Sequence, residues 1–226
     1  MRATLCPGGA GLDAVERLAG HAEVWVFRAG DRIWSQGDAP THLTVIARGL
    51  AAVSRAGRSS PVTLGIFGPR DAVGLVAVLD GVAYPADAIA VSRRVVLVAC
   101  PVAALQEAVA TDTALARGLL SRLAQNTHGL RDKIAVTCAG SVDARLAALL
   151  TMLADRYGEP GPEHTVLVPI ELTRRQLAEY VQARVETVIR RLAAWAREGL
   201  ARSDVRGIHI SDLERLRLLA GASEFR

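Results

Sequence analysis

A pair of short amphipathic helices joined by a tight turn, near the C-terminus, constrains the fold of this chain more than any other feature. Thr173 and Gln176 have the spacing of a capping box, in which each side chain accepts the backbone N–H of the other residue. This box predicts a helix over residues 174–181. Apolar residues at helical spacing predict a second helix over 185–198, and residues 182–184 form the turn between the two helices.

Two short apolar segments follow this helix pair and complete a recognisable unit. Ala201–Arg202 and Ile208–Ile210 are predicted to be strands around a turn that ends at Gly207. Helix, tight turn, helix and hairpin make a winged helix-turn-helix, whose second helix enters the major groove of DNA. Residues 173–206 contain eight arginines and four acidic residues. This excess of positive charge suits a surface that neutralises phosphates.

The second helix of the pair carries residues suited to reading DNA bases. Glu186 can accept a hydrogen bond from cytosine N4, Arg190 can donate to guanine O6 and N7, and Ile189 can contact a thymine methyl group. The residues predicted to contact phosphates are Arg174, Arg175, Arg184, Thr187 and Arg191. The alternative for these charged residues is an ordinary solvated helix face, and the capped helix pair with its hairpin favours DNA.

The N-terminal half of the chain has a different pattern. Residues 12–20 form a short amphipathic segment, and residues 23–100 consist of short runs of Val, Ile, Leu and Trp separated by glycine-bearing turns. Many short strands with regular turn signals are typical of a sandwich or roll, and Val91–Cys100 is predicted to be the last buried strand. The fold class predicted for the whole chain is therefore α+β, with an N-terminal β-roll (jelly roll).

A helical stretch over 102–139 separates the two halves and carries a narrow apolar seam at heptad-like spacing. The seam residues are Leu119, Leu123, Leu130, Ile134 and Cys138. A long helix with one narrow seam predicts pairing with a second copy, and packing on its own β-roll is the alternative. Ser141 is predicted to cap the next helix. The predicted domains are a sensor (1–110), a dimerisation helix (111–139) and a DNA-binding domain (140–226).

Several segments together resemble the cyclic-AMP receptor / fumarate-nitrate regulator (CRP/FNR) family. The segments are L-T-R-R-Q-L-A-E-Y-V (172–181), V-E-T-V-I-R-R-L (185–192), F-R-A-G-D-R-I-W-S-Q-G-D (27–38), V-I-A-R-G (45–49) and G-S-V-D-A-R-L-A-A-L-L (140–150). The resemblance implies a cyclic-nucleotide-binding-like β-roll, a dimerisation helix and a winged helix. It also implies a homodimeric transcription regulator that binds a pseudo-palindromic site on double-stranded DNA and acts with RNA polymerase.

Departures from the family pattern carry information about the target and the local geometry. Val185 stands where many members have arginine, and V-E-T resembles the fumarate-nitrate regulator branch, which implies a TTGA-type half-site. Gln182 replaces the usual turn glycine, and Arg184 replaces the usual helix-capping serine.

The resemblance also indicates where an effector would bind. Cyclic-nucleotide binders of the family have a glycine-glutamate pair and an arginine-serine pair, whose groups bind the ribose and the cyclic phosphate. This chain has leucine after the glycine, no arginine in the second segment, and Asp87, which adds negative charge. We therefore expect it not to bind cyclic AMP or cyclic GMP. The predicted effector pocket is lined by Gly74, Leu75, Tyr84 and Pro85.

Metal cofactors are restricted by the cysteines and histidines. The three cysteines, Cys6, Cys100 and Cys138, cannot build a four-thiolate iron–sulfur cluster within one chain. None of the five histidines is marked out by spacing, so haem-dependent sensing of a gas remains an alternative and the metal ligands are unknown. A small-molecule effector is equally open.

Other classes of protein fit the sequence less well. A cupin-like metal enzyme needs a histidine cluster in the roll, and His42 is the only histidine in the strand region after His21, so no catalytic residues are predicted. A β-roll that only binds another protein would leave the helix pair unexplained. The chain has no signal-peptide pattern, and its longest apolar run, Val95–Leu105, is too short to span a bilayer. We expect a cytoplasmic protein without a membrane segment.

Overall fold

The computed structural model describes residues 12–56, 62–162, 165–170 and 172–221. Contacts divide the chain into a first unit, Met1–Arg55 with Gly65–Gly129, and a second unit, Ala56–Leu64 with Leu130–Arg226. The three functional segments inferred from the sequence, with boundaries at 110/111 and 139/140, stay a prediction. None of the helices in the described parts of the chain combines the length and the apolarity needed to cross a bilayer.

The strands of the N-terminal half form two four-stranded sheets, with strand orders β1-β8-β3-β6 and β2-β7-β4-β5. The strands are β1 (Glu23–Arg28), β2 (Arg32–Trp34), β3 (His42–Arg48), β4 (Ala51–Arg55), β5 (Val62–Phe67), β6 (Ala72–Val73), β7 (Asp87–Ala90) and β8 (Arg94–Pro101). The helices are α1 (Leu12–Gly20), α2 (Leu75–Asp80), α3 (Val102–Thr111) and α4 (Thr113–Cys138). This arrangement confirms the predicted β-roll and the α+β class.

The first unit has a core on each face of the β1-β8-β3-β6 sheet. Val45 and Ile46 are neighbours on β3, and their side chains enter different clusters because successive residues of a strand point to opposite faces. Ile46 joins residues of both sheets, including Trp34 and Ala88, so this cluster lies between the sheets. Val45 packs with residues of α1 to α4, so the helices cover the other face.

The predicted helical stretch over 102–139 is divided in the structure. Asp112 has extended backbone angles, with φ −129° and ψ 102°, and ends α3. Its carboxylate oxygen Oδ1 then accepts the backbone N–H of Leu115 at 2.9 Å, which satisfies a free donor in the first turn of α4. The prediction of one continuous stretch is therefore wrong at this aspartate, which acts as both stop and start signal.

The second unit contains a helix bundle with a small sheet of order β11-β12-β10-β9. Its elements are α5 (Val142–Tyr157), β9 (Glu159–Pro160), β10 (Val166–Val168), α6 (Arg174–Val181), α7 (Val185–Arg197), β11 (Ala201–Asp204), β12 (Gly207–Ile210) and α8 (Leu213–Leu219). The Ser141 hydroxyl accepts the Ala144 N–H at 3.1 Å, which confirms the predicted cap of α5. Helix α6, the turn, α7 and the β11–β12 hairpin confirm the winged helix-turn-helix, whereas β9 and α8 were not predicted.

Candidate nucleic-acid interface

Helix α6 begins with the capping box that the sequence predicts. The Gln176 N–H donates to Thr173 Oγ1 at 3.2 Å, and the Thr173 N–H donates to Gln176 Oε1 at 2.8 Å. Leu177 and Val181 are buried, which fixes the helix against the rest of its unit. The start and orientation of the first helix of the pair are thus set by residues within one turn of each other.

The turn between α6 and α7 contains both departures from the family pattern. Gln182 adopts the left-handed conformation, with φ 51° and ψ 53°, which favours glycine because other residues have a Cβ that crowds the backbone. The chain still closes the turn, since the Ala183 N–H donates to the Ala178 carbonyl at 2.9 Å. Arg184 occupies the N-cap of α7 without a capping side-chain hydrogen bond. The turn geometry is therefore kept without the usual glycine and serine.

Helix α7 has one buried and one open face. Val188, Leu192 and Trp195 are buried and hold the helix in its unit. On the opposite side Glu186, Ile189 and Arg190 are exposed, with 49% of Ile189 accessible. Within the described parts of the chain, the side chains of Glu186 and Arg190 make no hydrogen bond or ion pair. The three residues predicted to read bases thus lie on one turn of one exposed surface.

The residues predicted to contact phosphates are in different situations. Arg175 is well exposed and its Nε lies 2.9 Å from Glu179 Oε1, and Arg184 is exposed at the turn. Thr187 is half-buried. Arg174 Nη2 donates to Ser203 Oγ at 2.5 Å, and burial lowers the pKa of its guanidinium from the ordinary value.

Arg191 has a partner that the sequence did not predict, and its contact with a phosphate stays a prediction. Its guanidinium forms an ion pair with Asp143 of α5, and both side chains are partly covered. The ion pair joins α7 to α5 and thereby stabilises the position of α7. No local sequence pattern indicates this pair, because Asp143 and Arg191 lie far apart in the sequence.

The residues of the apolar seam predicted on α4 differ in their exposure in the structure. Leu119 is only 2% exposed and packs in the helix-covered core beside Leu115, so its assignment to a dimer seam is wrong. The neighbouring Leu120 is 64% exposed. Of the other seam residues, Ile134 (62% exposed) and Cys138 are exposed, Leu123 is half-buried, and the side chain of Leu130 lies outside the described residues.

The predicted effector pocket is filled by aromatic side chains. The rings of Trp34 and Tyr84 stack with centroids 4.2 Å apart and planes 14° from parallel, and Trp34 Nε1 donates to the Ala86 carbonyl at 3.2 Å. A Cβ placed on Gly74 would lie 2.6 Å from the Tyr84 ring. The two rings therefore pack directly on the Gly74 backbone. Burial, followed by the charge of Asp38, raises the pKa of the Tyr84 hydroxyl to about 12.

The other predicted pocket residues and Asp87 also differ in their surroundings. Leu75 is buried in the helix-covered core, whereas Pro85 is exposed. The Asp87 carboxylate accepts the Gln36 N–H at 2.7 Å, so its charge is stabilised by a backbone donor of the neighbouring turn. We refer to Trp34, Gly74, Tyr84 and Asp87 as the cassette.

The candidate metal ligands are dispersed among the described residues. Cys100 is buried, which raises the pKa of its thiol, and Cys138 is exposed. His42 Nδ1 lies 2.9 Å from the Thr41 hydroxyl, and His209 Nε2 lies 2.9 Å from Asp204 Oδ2. No group of three His, Cys, Asp or Glu side chains that could hold a metal occurs in the described part of the chain. Cys6 and His164 lie outside the described residues.

Two family models match this chain in the order of its two units. The cyclic nucleotide-binding domain model matches residues 24–112, and the Crp-like helix-turn-helix domain model matches residues 144–219. The chain belongs to the CRP/FNR family of transcription regulators. A member from Thermus thermophilus has a crystal structure that covers 88% of this chain and 98% of its own, with 26% identity and a TM-score of 0.66.

Two further comparisons each cover most of this chain. The CRP-like cAMP-activated global transcriptional regulator of Mycobacterium tuberculosis is 29% identical over 195 residues, which are 84% of each chain. The structure of FixK2 from Bradyrhizobium japonicum covers 88% of this chain and 96% of its own, with a TM-score of 0.75 and 19% identity, and this likeness shows the fold alone.

Sequence reasoning missed several residues that shape these sites. Trp34, Asp143, Ser203 and Asp204 were not singled out, because each acts through a contact that is distant in sequence or depends on the strand register. Lys133 had a usable signal as the only lysine of the chain. Its Nζ donates to the Tyr180 carbonyl at 2.6 Å and lies 4.0 Å from the centroid of the Tyr180 ring.

Proposed function

We propose that this regulator is a cytoplasmic homodimer that reads a pseudo-palindromic DNA site through α7. The observation that carries the proposal is the open face of α7, where Glu186, Ile189 and Arg190 are exposed while Arg191 is paired with Asp143. Charged side chains that lack a partner among the described residues are available for base edges. The paired arginine beside them keeps the helix in place.

The chemistry of the three residues matches the edges of bases in the major groove. Glu186 accepts from cytosine N4, Arg190 donates two hydrogen bonds to guanine, and Ile189 contacts a thymine methyl group. Arg175 and Arg184, both exposed, contact phosphates on either side and set the register of the helix. Bound in this way next to a promoter, the protein acts with RNA polymerase.

Pairing through α4 explains the exposed apolar side chains of that helix. Leu120 and Ile134 are two heptads apart in sequence and both are more than half exposed. Exposed leucine and isoleucine at heptad spacing are expected to pack against the same residues of a second copy. Sedimentation of Leu120→Glu and Ile134→Glu tests this: we expect monomers that retain the fold, and unchanged dimers would contradict it.

Selection from a pool of random duplexes tests DNA reading without knowledge of the target genes. We expect the wild-type protein to enrich two inverted half-sites with a TTGA-type core, about 34 Å apart. The Glu186→Ala/Arg190→Ala variant keeps α7 folded, because both side chains are exposed, and should enrich no sequence. Failure of the wild-type protein to enrich any sequence under every effector condition would contradict the proposal.

We further propose that cyclic nucleotides are not the effector. The relative from Mycobacterium tuberculosis is named as cAMP-activated. In this chain Leu75 follows the cassette glycine and is buried, and Tyr84 stacks on Trp34 against that glycine. These side chains occupy space and supply no charge for a cyclic phosphate. Calorimetric titration with cyclic AMP and cyclic GMP should give no binding, and micromolar binding of either would overturn this part of the proposal.

The effector, in our proposal, biases a two-state equilibrium of the dimer. A ligand that prefers one state changes the orientation of the two α7 helices and hence the DNA affinity. An absorption spectrum of the isolated protein, with and without added haem, decides between a gas sensor and a small organic effector. A sharp Soret band at one haem per chain would favour gas sensing, and a featureless spectrum would favour the organic effector.

A further inference from the structure

The tip of the wing hairpin is organised around one carboxylate. Asp204 Oδ1 accepts the backbone N–H of Arg206 at 2.8 Å. Its Oδ2 lies 2.9 Å from His209 Nε2, 3.4 Å from Arg202 Nη1 and 3.9 Å from Arg206 Nη2. The Arg206 N–H and the His209 side chain are the largest causes that lower the pKa of this carboxyl below its ordinary value. The side chains of Arg202 and Arg206 are therefore both directed to one anion of their own hairpin.

The turn end of the hairpin, where Gly207 pairs with Asp204, is held in a fixed place on β10. Gly207 has φ 138°, and a Cβ there would clash with the Val168 carbonyl, so β12 approaches the β10 end too closely for any larger residue. The Val205 side chain at the turn is 86% exposed. The hairpin thus combines a fixed strand β12 with an exposed turn, and Arg202 and Arg206 lie on β11 and in that turn.

The hairpin lies beside the first helix of the DNA-reading pair. Arg174, the first residue of α6, donates to the hydroxyl of Ser203, which stands between Arg202 and Asp204 in β11. The charged tip is therefore next to the helix start that the proposed function places near phosphates. In a helix-turn-helix the first helix crosses the DNA backbone, so the neighbourhood of its first residue is expected to lie close to phosphates.

We propose that Asp204 competes with DNA phosphate for Arg202 and Arg206 and thereby limits the DNA affinity of this protein. The inference rests on the proposed function. Carboxylate and phosphate are both preferred partners of guanidinium, so the donors that Arg202 and Arg206 direct to Asp204 are not available to a phosphate. Replacement of Asp204 should free Arg202 and Arg206 to contact two phosphates, while the wing stays folded.

The variant Asp204→Asn separates charge from turn geometry. An asparagine oxygen still accepts the Arg206 N–H, so the turn is kept while the negative charge is lost. The probe is a mixed-sequence duplex of about 30 base pairs, because binding to it depends on phosphates alone. We expect tighter binding by about 3- to 30-fold at low salt, with a slope of log K against log salt that is steeper by about 1–2.

Two controls distinguish this mechanism from a general change of net charge. Glu214→Gln removes one exposed negative charge from the same unit, at a carboxylate that pairs with Arg217 in α8, and should change affinity far less. In an Arg202→Gln/Arg206→Gln background the gain from Asp204→Asn should disappear. An equal gain in Glu214→Gln, or a gain that persists without the two arginines, would overturn the inference.

Failure of this inference is distinguishable from failure of the proposed function. If the wild-type protein selects a specific duplex but Asp204→Asn binds both that duplex and the mixed-sequence duplex no more tightly, only the role of Asp204 is refuted. Asp204→Ser repeats the test with a different neutral acceptor, and thermal unfolding of each variant verifies that the wing is folded. No gain with either folded variant refutes the inference.

Discussion

The open face of α7 and the cassette of the β-roll differ in whether their hydrogen-bonding groups are available to another molecule. On α7, Glu186 and Arg190 are exposed and unpaired within the described structure, so their hydrogen-bonding groups are available to another molecule. In the cassette, Tyr84 and Trp34 are buried and stack on each other, and the Asp87 carboxylate is bound by a backbone N–H.

In our proposal, the chain keeps one site of the family on α7 and has lost the other in the β-roll. A site for a polar ligand needs polar groups without partners, since their desolvation is compensated only when the ligand binds. In the cassette the Trp34 N–H and the Asp87 carboxylate have partners in their own chain, and the two rings pack together, which stabilises the fold. On the α7 face the polar groups of Glu186 and Arg190 are left without such partners. This face therefore adds less to the stability of the fold and remains available to recognise DNA, as we propose.

The largest effect that tests this comparison is expected from Gly74→Ala. Gly74 has φ 73°, and the new Cβ would lie 2.6 Å from the Tyr84 ring. We expect unfolding to become easier by about 2–5 kcal/mol, the sum of the left-handed backbone cost and overpacking. Chemical denaturation followed by tryptophan fluorescence measures it.

Gly81→Ala is the matched control for that experiment. Gly81 has φ 69° but no atom within 4 Å of its added Cβ. It should cost only about 1–2 kcal/mol, the backbone part alone. Equal losses for the two variants would show that the rings leave free space beside Gly74, and the cassette would then be open.

The next effect concerns the open face, through Arg190→Ala. Loss of its contact should weaken specific binding by about 1–3 kcal/mol and relax the preference at one base pair. Competition binding with single-base variants of the selected site measures both quantities. A uniform loss over all sequences would mean that Arg190 contacts only phosphate.

Arg191→Ala is the neighbouring control for Arg190→Ala. Its guanidinium is paired with Asp143, so its removal should lower thermal stability and leave the base preference unchanged. The partly exposed pair is expected to contribute up to about 1 kcal/mol. A changed base preference without loss of stability would show that Arg191 contacts DNA.

A smaller effect is expected at the turn, where the structure tolerates an unfavourable cap. Arg184→Ser supplies a side chain that can accept an N–H from the first turn of α7. We expect stabilisation by about 0.5–2 kcal/mol without DNA, and weaker DNA binding if Arg184 contacts a phosphate. Unfolding curves of the free protein provide the measurement, and an unchanged midpoint would show that water already satisfies these donors.

The smallest effect is a pH dependence at Lys133. Burial lowers the pKa of its ammonium group from 10.5 to about 8. Between these values the unfolded chain holds a proton that the folded chain has released, so the contribution of Lys133 to the free energy of unfolding should rise with pH from about 8 to 10.5. Lys133→Met should remove this rise, and because the chain has no other lysine, an identical slope in the variant would refute the assignment.

Local signals in the sequence determined most of the winged helix. The Thr173–Gln176 box and the buried stripe at Val188, Leu192 and Trp195 depend on hydrogen bonds and spacings within a few residues, and the structure reproduces them. The β-roll was predictable in type from its alternation and turns. The break at Asp112 was missed because aspartate is tolerated inside helices as well as at their ends.

The sequence by itself determined the class of the fold, the family and the face of α7 that carries Glu186 and Arg190. Only the tertiary structure decided that Arg191 pairs with Asp143, that Leu119 faces the core while Leu120 faces outward, and that Tyr84 stacks on Trp34. The physical reason is the range of the interactions. Caps and helical periodicity act within about one or two turns, whereas these side chains find partners through the packing of elements far apart in the chain.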